Sequence, residues 1–437
     1  MQAGKALSQS LIWRGLYYLA AFVINILIAR HFQASVSGVV YYLSSIYALV
    51  LLFSSLSLES GIIYFTARKE MPAPGLFNFA VLWSLGTGLI TWVVAIILFR
   101  EDFRQLPSGL VIFSSVSFIL GNLLITYCSG FFYANNKYVL PNAINIVCTL
   151  LLIVLLPYNG RSVVSPVNDA NYFYMYFGSF LLQGICVAIV AKLKYIKTWS
   201  ATFISRSDFN LLFRYCSLAF LGNIIYFFLY RVDYWFVERY CSAAELGNYI
   251  QVSKLGHLFF ILPTILASAV FPLTAGGKRE NIAAILTLLS RTIFFSYLFL
   301  CLLLALTGKW LFPFVFGESF SDMYLPFLFL IPGILSLSGL YTLTAYFAGS
   351  NQLLVNITGS VYSLLVIVTG DIIFIPLYGI QAAALISSAG YMVYQAYIIW
   401  KFKKEFEIPL DRFFLIRMSD LAQIKEALLH SSIKKDS

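Results

Sequence analysis

Runs of about twenty apolar residues recur along the whole chain, separated by short clusters of charge. Wound as an α-helix at ~1.5 Å per residue, such a run matches the ~30 Å hydrocarbon layer of a bilayer. Only helices and closed barrels satisfy every backbone N–H and C=O in lipid. Barrel strands would read as short alternating segments; these runs are long and continuous, so helices are expected. Composition agrees. Hydrophobic types make up 60% of the 437 residues and charged types 11%, against ~45–50% and ~25% in a typical soluble domain. A soluble fold could not cover its surface with so few polar groups.

Twelve spans are predicted. The first six are Leu11–Ala29, Gly38–Leu58, Leu76–Phe99, Gly109–Phe132, Val139–Leu156 and Tyr172–Ala191. The second six are Leu211–Tyr230, Leu246–Leu273, Ile285–Leu306, Leu325–Ala348, Leu353–Ile375 and Gly379–Trp400. With the N-terminus cytoplasmic, the inner segments hold ten Lys and Arg and the tail eight more, against seven outside. That bias, with an even span number, predicts both termini inside. The division is an N-lobe at 1–200, a C-lobe at 201–400 and a basic tail at 401–437. In the tail, Leu421, Ile424 and Leu428 recur at helical spacing behind Asp420 and Gln423, the pattern of an interfacial amphipathic helix.

The net charge of +10 sits mainly in loops and tail, which marks topology and not a nucleic-acid partner. The six cysteines form no CxxC pair and read as small buried hydrophobes. Gly276-Gly277-Lys278-Arg279 lacks the first glycine and the Ser/Thr of a phosphate loop. No HExxH, GxSxG or metal-ligand pattern occurs. No catalytic residue, cofactor or metal is expected, so the function is moving or holding something.

The halves echo each other. Phe132-Tyr133-Ala134, a polar turn, Val139-Leu140 and Asn142 correspond to Tyr346-Phe347-Ala348, a polar turn, Leu353-Leu354 and Asn356. Ser37-Gly38-Val39-Val40-Tyr41 likewise resembles Leu246-Gly247-Asn248-Tyr249-Ile250. Both matches join corresponding spans of a six-plus-six division, and duplicated halves with a site between them are a transporter pattern.

An ionisable side chain within a span costs several kcal/mol unless it faces protein or water. Six qualify: Arg14, Glu59, Arg214, Lys254, His257 and Arg291. Five can carry positive charge, and a basic chamber suits an anionic ligand. Arg14, Arg214 and Arg291 lie near cytoplasmic ends, where snorkelling to headgroups competes with that role. Gln251, Lys254 and His257 recur every third residue and form a polar stripe expected to point inward. Glu59 is the one acid well inside a span; it and His257 are candidates for ion coupling. Arg231 and Asp233 read as an interface pair at the outer mouth of span seven.

The residues Leu27-Ile28-Ala29-Arg30-His31-Phe32, followed by Gly38 and Tyr41, resemble polysaccharide-biosynthesis transporters. So do Tyr230-Arg231-Val232-Asp233-Tyr234-Trp235 with Leu246-Gly247-Asn248-Tyr249, and Ile375-Pro376-Leu377-Tyr378-Gly379-Ile380-Gln381-Ala382-Ala383-Ala384. Gln381 departs from the usual glycine. The chain resembles the Wzx-type lipid-linked oligosaccharide flippases of the multidrug/oligosaccharidyl-lipid/polysaccharide (MOP) exporter superfamily. The resemblance implies two pseudo-symmetric six-helix lobes around a central cavity, working by alternating access. It implies an undecaprenyl-diphosphate-linked glycan, such as an O-antigen unit, as the partner moved across a bacterial inner membrane, beside membrane lipids and a glycan-polymerase machinery. Coupling to H+, Na+ or the membrane potential is the expected drive. Twelve spans favour the oligosaccharide branch over the longer peptidoglycan-precursor flippases. A multidrug/cation antiporter of the same superfamily is the alternative, disfavoured by the shortage of acids within spans. A multispanning glycan polymerase or ligase is further off, because no outer loop is long.

Overall fold

The computed structural model describes residues 2–99, 106–135, 137–156, 170–196, 203–264, 266–267, 270, 282–409 and 411–414. The regular elements are helices: α1 Gln2–Ser55, α2 Leu58–Arg68, α3 Ala73–Leu98, α4 Ser108–Ala134, α5 Val139–Leu155, α6 Ala170–Tyr195, α7 Arg206–Leu229, α8 Val232–Tyr240 and α9 Ala243–Leu258. Then come α10 Ile282–Phe316, a 3-10 turn at Glu318–Met323, α11 Tyr324–Gly349, α12 Leu353–Phe406 and α13 Asp411–Phe414. Eight helical stretches among the described residues are long and apolar enough to cross a membrane. The expected tail helix around Leu421, Ile424 and Leu428, and the basic positions Lys197, Lys278 and Arg279, lie outside the described residues.

The two longest helices, each of 54 residues, are chain reversals. In α1 the helical angles break at Gln33 (φ 59, ψ 178). Across that break Ser37 Oγ donates to the Ile28 carbonyl at 3.2 Å and Tyr41 Oη to that of Asn25 at 3.1 Å. In α12 the break is Gly379 (φ 60, ψ −142). There Gly370 lies against Ile386, Gly390 against Ile367, and Gly359 against Tyr394. Residues equidistant from the break meet, so each helix is an antiparallel hairpin. The predicted boundary between spans one and two, and that between eleven and twelve, fall at these breaks.

Large apolar side chains face outward along whole helices. On α3, Leu82, Leu85, Leu89, Ile90, Val93, Ile97 and Leu98 are exposed, as are Phe299, Leu303, Leu306, Trp310 and Phe314 on α10. Such surface is untenable in water and expected against lipid. Small residues instead mark the contacts between helices. A Cβ at Gly121 of α4 would lie 2.4 Å from the Phe180 carbonyl of α6, and one at Gly184 would lie 2.5 Å from the Gly121 oxygen. Those backbones touch because neither glycine carries a side chain.

The chain divides into two compact units. The first comprises 1–234, 242–250 and 313–320; the second comprises 235–241, 251–312 and 321 onward. The first runs past residue 200 to take in α7, whose Leu212 and Cys216 pack on Gly61 of α2. It also takes in the start of α9, where the shorter repeat meets its own copy. A Cβ at Gly38 would lie 2.6 Å from the Ala243 oxygen, and one at Gly247 would lie 1.9 Å from the Ala34 oxygen. Ala34-x-x-x-Gly38 and Ala243-x-x-x-Gly247 thus pack reciprocally, as a local two-fold relation requires. Beside them the Ala34 amide donates to Ser319 Oγ at 3.0 Å, Asn248 Nδ2 donates to the Ser319 carbonyl at 3.0 Å, and Arg30 Nε donates to the Val315 carbonyl at 2.8 Å. The guanidinium also reaches the Phe314 carbonyl, so a cation caps the C-terminal end of α10.

The longer repeat is likewise expressed. Phe131, Phe132, Tyr346 and Phe347 are all buried at the ends of α4 and α11. Each helix closes with an amide bonding five residues back, Lys137 to Phe132 at 2.9 Å and Gln352 to Phe347 at 2.7 Å. Asn142 and Asn356 are buried beyond both turns, each donating to a backbone carbonyl.

Candidate transport site

Helix α9 carries the polar stripe. It opens with a reciprocal cap, Ser242 and Glu245 bonding each other's backbone N–H, and runs sixteen residues without proline. Helical spacing sets Gln251, Lys254 and His257 one turn apart along it. Gln251 is fully buried, with neither end of its amide hydrogen-bonded among the described residues. Lys254 and His257 are half-buried. The His257 ring lies 5.2 Å from that of Phe260, itself 5.6 Å from Tyr341. The next turn loosens at Phe259–Phe260, whose amides bond three residues back. Gly256 lets α9 approach Leu330 of α11, a Cβ there meeting it at 3.0 Å.

The other predicted site residues lie on other helices. Arg291 on α10 is buried, 7% exposed, and donates to the Arg412 carbonyl at 2.9 Å. It therefore holds the chain that follows α12, and Phe413 beside that carbonyl is buried against Phe402. Arg214 is exposed on α7. Arg14 lies in α1, and its side chain is outside the described residues. Glu59 is half-buried in the first turn of α2; its Oε2 is shut from solvent and has no hydrogen-bond partner among the described residues.

Two acids, Asp233 and Asp371, are buried. Asp233, expected at an interface beside Arg231, is buried: it accepts a short hydrogen bond from Tyr249 Oη and one from the Tyr234 amide at 2.9 Å. The Arg231 guanidinium lies 5.2 Å over the Phe227 ring. Asp371 is fully buried in α12, so Glu59 is not the lone acid within the spans. Its proximity to the expected outer end of span eleven disguised it. Its neighbour Gly370 lies against Ile386 across the hairpin. Among the described residues no three His, Cys, Asp or Glu cluster as a metal site would need.

A cavity of about 360 Å³ opens between α1, α3 and α4, with Tyr47, Phe53, Trp83, Ile90, Val94 and Ile119 in its wall. Its lining is almost wholly apolar, so it favours hydrocarbon over water.

No protein-family model and no curated protein matches the sequence. Solved structures do match. The lipid II flippase MurJ, in an inward-closed conformation, superposes with a TM-score of 0.71 at 14% identity, covering 95% of this chain and 92% of that one. A MOP-superfamily transporter from Pyrococcus furiosus, described as having a binding pocket of reverse polarity, gives 0.61 at 14% identity over 92% and 96%. The Vibrio cholerae MATE transporter VcmN in its bent form gives 0.58 at 12% over 94% and 99%. At such identities the likeness is one of fold. The chain is an all-helical, multi-pass membrane protein with the fold shared by transporters of the MOP superfamily.

Proposed function

We propose that this protein is a flippase that moves an undecaprenyl-diphosphate-linked oligosaccharide, of the O-antigen or a related surface polysaccharide, from the cytoplasmic to the outer leaflet of a bacterial inner membrane. It works by alternating access and transforms nothing. The observation that carries the reading is Lys254, a cation within a predicted span on a half-buried polar stripe. A charge placed there is costly and marks a ligand or ion pathway, and an anionic group is its complementary occupant. A lysine–phosphate attraction gains strength as the local dielectric falls.

The topology proposed is twelve crossings with both termini cytoplasmic. The eight long stretches supply eight; the reversals at Gln33 and Gly379 add two, and α5 and α9 add one each. Lys254 is the main diphosphate contact. Arg14 and Arg214 act in capture near the cytoplasmic mouth. Gln251 and His257 shape the stripe, with His257 a second candidate for proton coupling, and Arg291 acts through its hold on Arg412. The apolar cavity beside α3 suits the hydrocarbon tail. Fold likeness to a lipid II flippase supports a lipid-linked cargo. The same fold serves MATE transporters, and the buried Asp233 and Asp371 weaken the shortage of acids that disfavoured a cation antiporter, so that reading is the competitor.

Glycan export in cells, normalised to membrane protein level, tests the assignment. Lys254→Ala abolishes export, Lys254→Arg retains part of it because charge persists while geometry changes, and Arg214→Ala weakens it less. Normal export by a well-expressed Lys254→Ala, Arg214→Ala variant contradicts the proposal. Labelling from outside at a cysteine replacing Lys194 contradicts the topology.

A further inference from the structure

At one end of the first unit, two aromatic rings and an ion pair gather on one surface. α1 ends at Leu56 and Ser57, both with left-handed angles (φ 48 and 54), and the chain restarts as α2. Trp83 Nε1 of α3 donates to the Ser54 carbonyl at 2.8 Å, Tyr127 Oη of α4 to the Ser55 carbonyl at 3.0 Å, and Asn223 Nδ2 of α7 to Ser57 Oγ at 2.9 Å. Beyond this break α2 lies antiparallel to α7. Ser57 meets Asn223, Gly61 meets Cys216 and Leu212, and Tyr64 meets Tyr215. Gly61 permits the approach, because a Cβ there would lie 2.4 Å from Leu212 Cδ1.

That approach brings the Tyr64 and Tyr215 rings face to face, with centroids 4.4 Å apart and planes inclined by 25°. Phe65 meets Tyr215 edge-on, at 5.7 Å and 68°, so two side chains of α2 fix the ring. The Arg68 guanidinium lies 5.0 Å over the Tyr64 ring, donates to Tyr64 Oη and pairs with Glu70 at 3.3 Å. The group is open to a ligand: Tyr215 is 41% exposed, and the Arg68 and Glu70 side chains are 57% and 43% exposed. Arg214, already assigned to capture, is exposed at the preceding position of α7.

A tyrosine of an interfacial belt anchors its own helix. These two converge from two helices and present an aromatic face, guanidinium donors and a carboxylate acceptor together. A sugar ring calls for that combination. Its C–H face packs on an aromatic face, which is negative, and its hydroxyls use both donors and acceptors. A cationic drug is the poorer occupant, because Arg68 repels it. On the proposed topology both helix ends are cytoplasmic, the side from which a glycan is taken up.

We infer that Tyr215, stacked on Tyr64 and flanked by Arg68 and Glu70, is a platform that binds a sugar ring of the lipid-linked glycan. The inference rests on the flippase reading and adds to it a contact for the sugar, separate from that for the diphosphate. Arg68 and Glu70 exchange part of their ion pair for the sugar's hydroxyls. An exposed pair of this kind contributes little by itself, so the exchange is easy.

Thermophoresis of the purified full-length protein in detergent tests this with two probes, undecaprenyl diphosphate alone and the same carrier bearing one N-acetylhexosamine. The wild type binds the sugar-bearing carrier roughly three- to tenfold more tightly than the bare one, the scale of a single aromatic stacking contact. Tyr215→Leu, which keeps an apolar side chain and loses the ring face, brings the two affinities together at the wild type's value for the bare carrier. Tyr215→Trp keeps them apart. A sugar preference that survives in Tyr215→Leu, or a wild type that binds both carriers alike, overturns the inference and leaves the flippase reading standing. Equal weakening of both carriers in Tyr215→Leu marks a packing role and also overturns it. A wild type that binds neither carrier removes both readings.

Discussion

A buried carboxylate needs donors, and Asp233 and Asp371 show that chain position is a poor guide to depth. Asp233 lies four residues beyond the end of α7, where a residue at a membrane surface is expected, yet it is 3% exposed. Its partner Tyr249 follows sixteen residues later, on α9. Tyr249→Phe removes that donor and is expected to cost ~1–3 kcal/mol, the usual penalty for stranding a buried acceptor. Thermal denaturation in detergent reads this as a lowered melting temperature. Asp233→Asn in the Tyr249→Phe background should recover part of the loss, since the charge is then gone.

At the scale of elements, the repeat was legible and its purpose was not. Gly38 and Gly247 stand at matching places in two similar segments, but periodicity alone does not say that the segments touch. Their contact is backbone on backbone, so each position is intolerant of even a methyl group. Gly247→Ala is expected to be the more damaging, at ~1–3 kcal/mol of overpacking, because its Cβ would meet the Ala34 oxygen at 1.9 Å against 2.6 Å for Gly38 and Ala243. The two hairpins make a second pair of tests. Gly379 has angles that only glycine adopts without strain, so Gly379→Ala lowers stability by ~1–3 kcal/mol. Gln33 holds a positive φ with a full side chain, and Gln33→Gly relieves strain there. Melting temperatures of the purified variants decide both. The hydropathy pattern found the long apolar helices because those such as α3 are apolar along their length. It missed the break at Leu56–Ser57, since neither residue favours left-handed angles and Trp83, Tyr127 and Asn223 from three other helices bond to the break.

For the whole molecule, composition excluded a soluble protein and the charge bias proposed a direction, whereas the proposed cargo rests on a few side chains. Of the cations found in the spans, Lys254 is half-buried on its stripe, Arg214 is exposed, and Arg291 is spent on the Arg412 carbonyl. Spacing along one helix made the Gln251–Lys254–His257 stripe visible in advance. The engagement of Arg291 by a backbone oxygen 121 residues away has no local signal. The most direct test of the account is flipping of a defined undecaprenyl-diphosphate-linked oligosaccharide in proteoliposomes containing the purified protein. The account predicts transport by the wild type, partial transport by Lys254→Arg and none by an equally well-folded Lys254→Ala. Transport by Lys254→Ala at the wild-type rate, or cation-drug exchange by a wild type that moves no lipid-linked glycan, would contradict it.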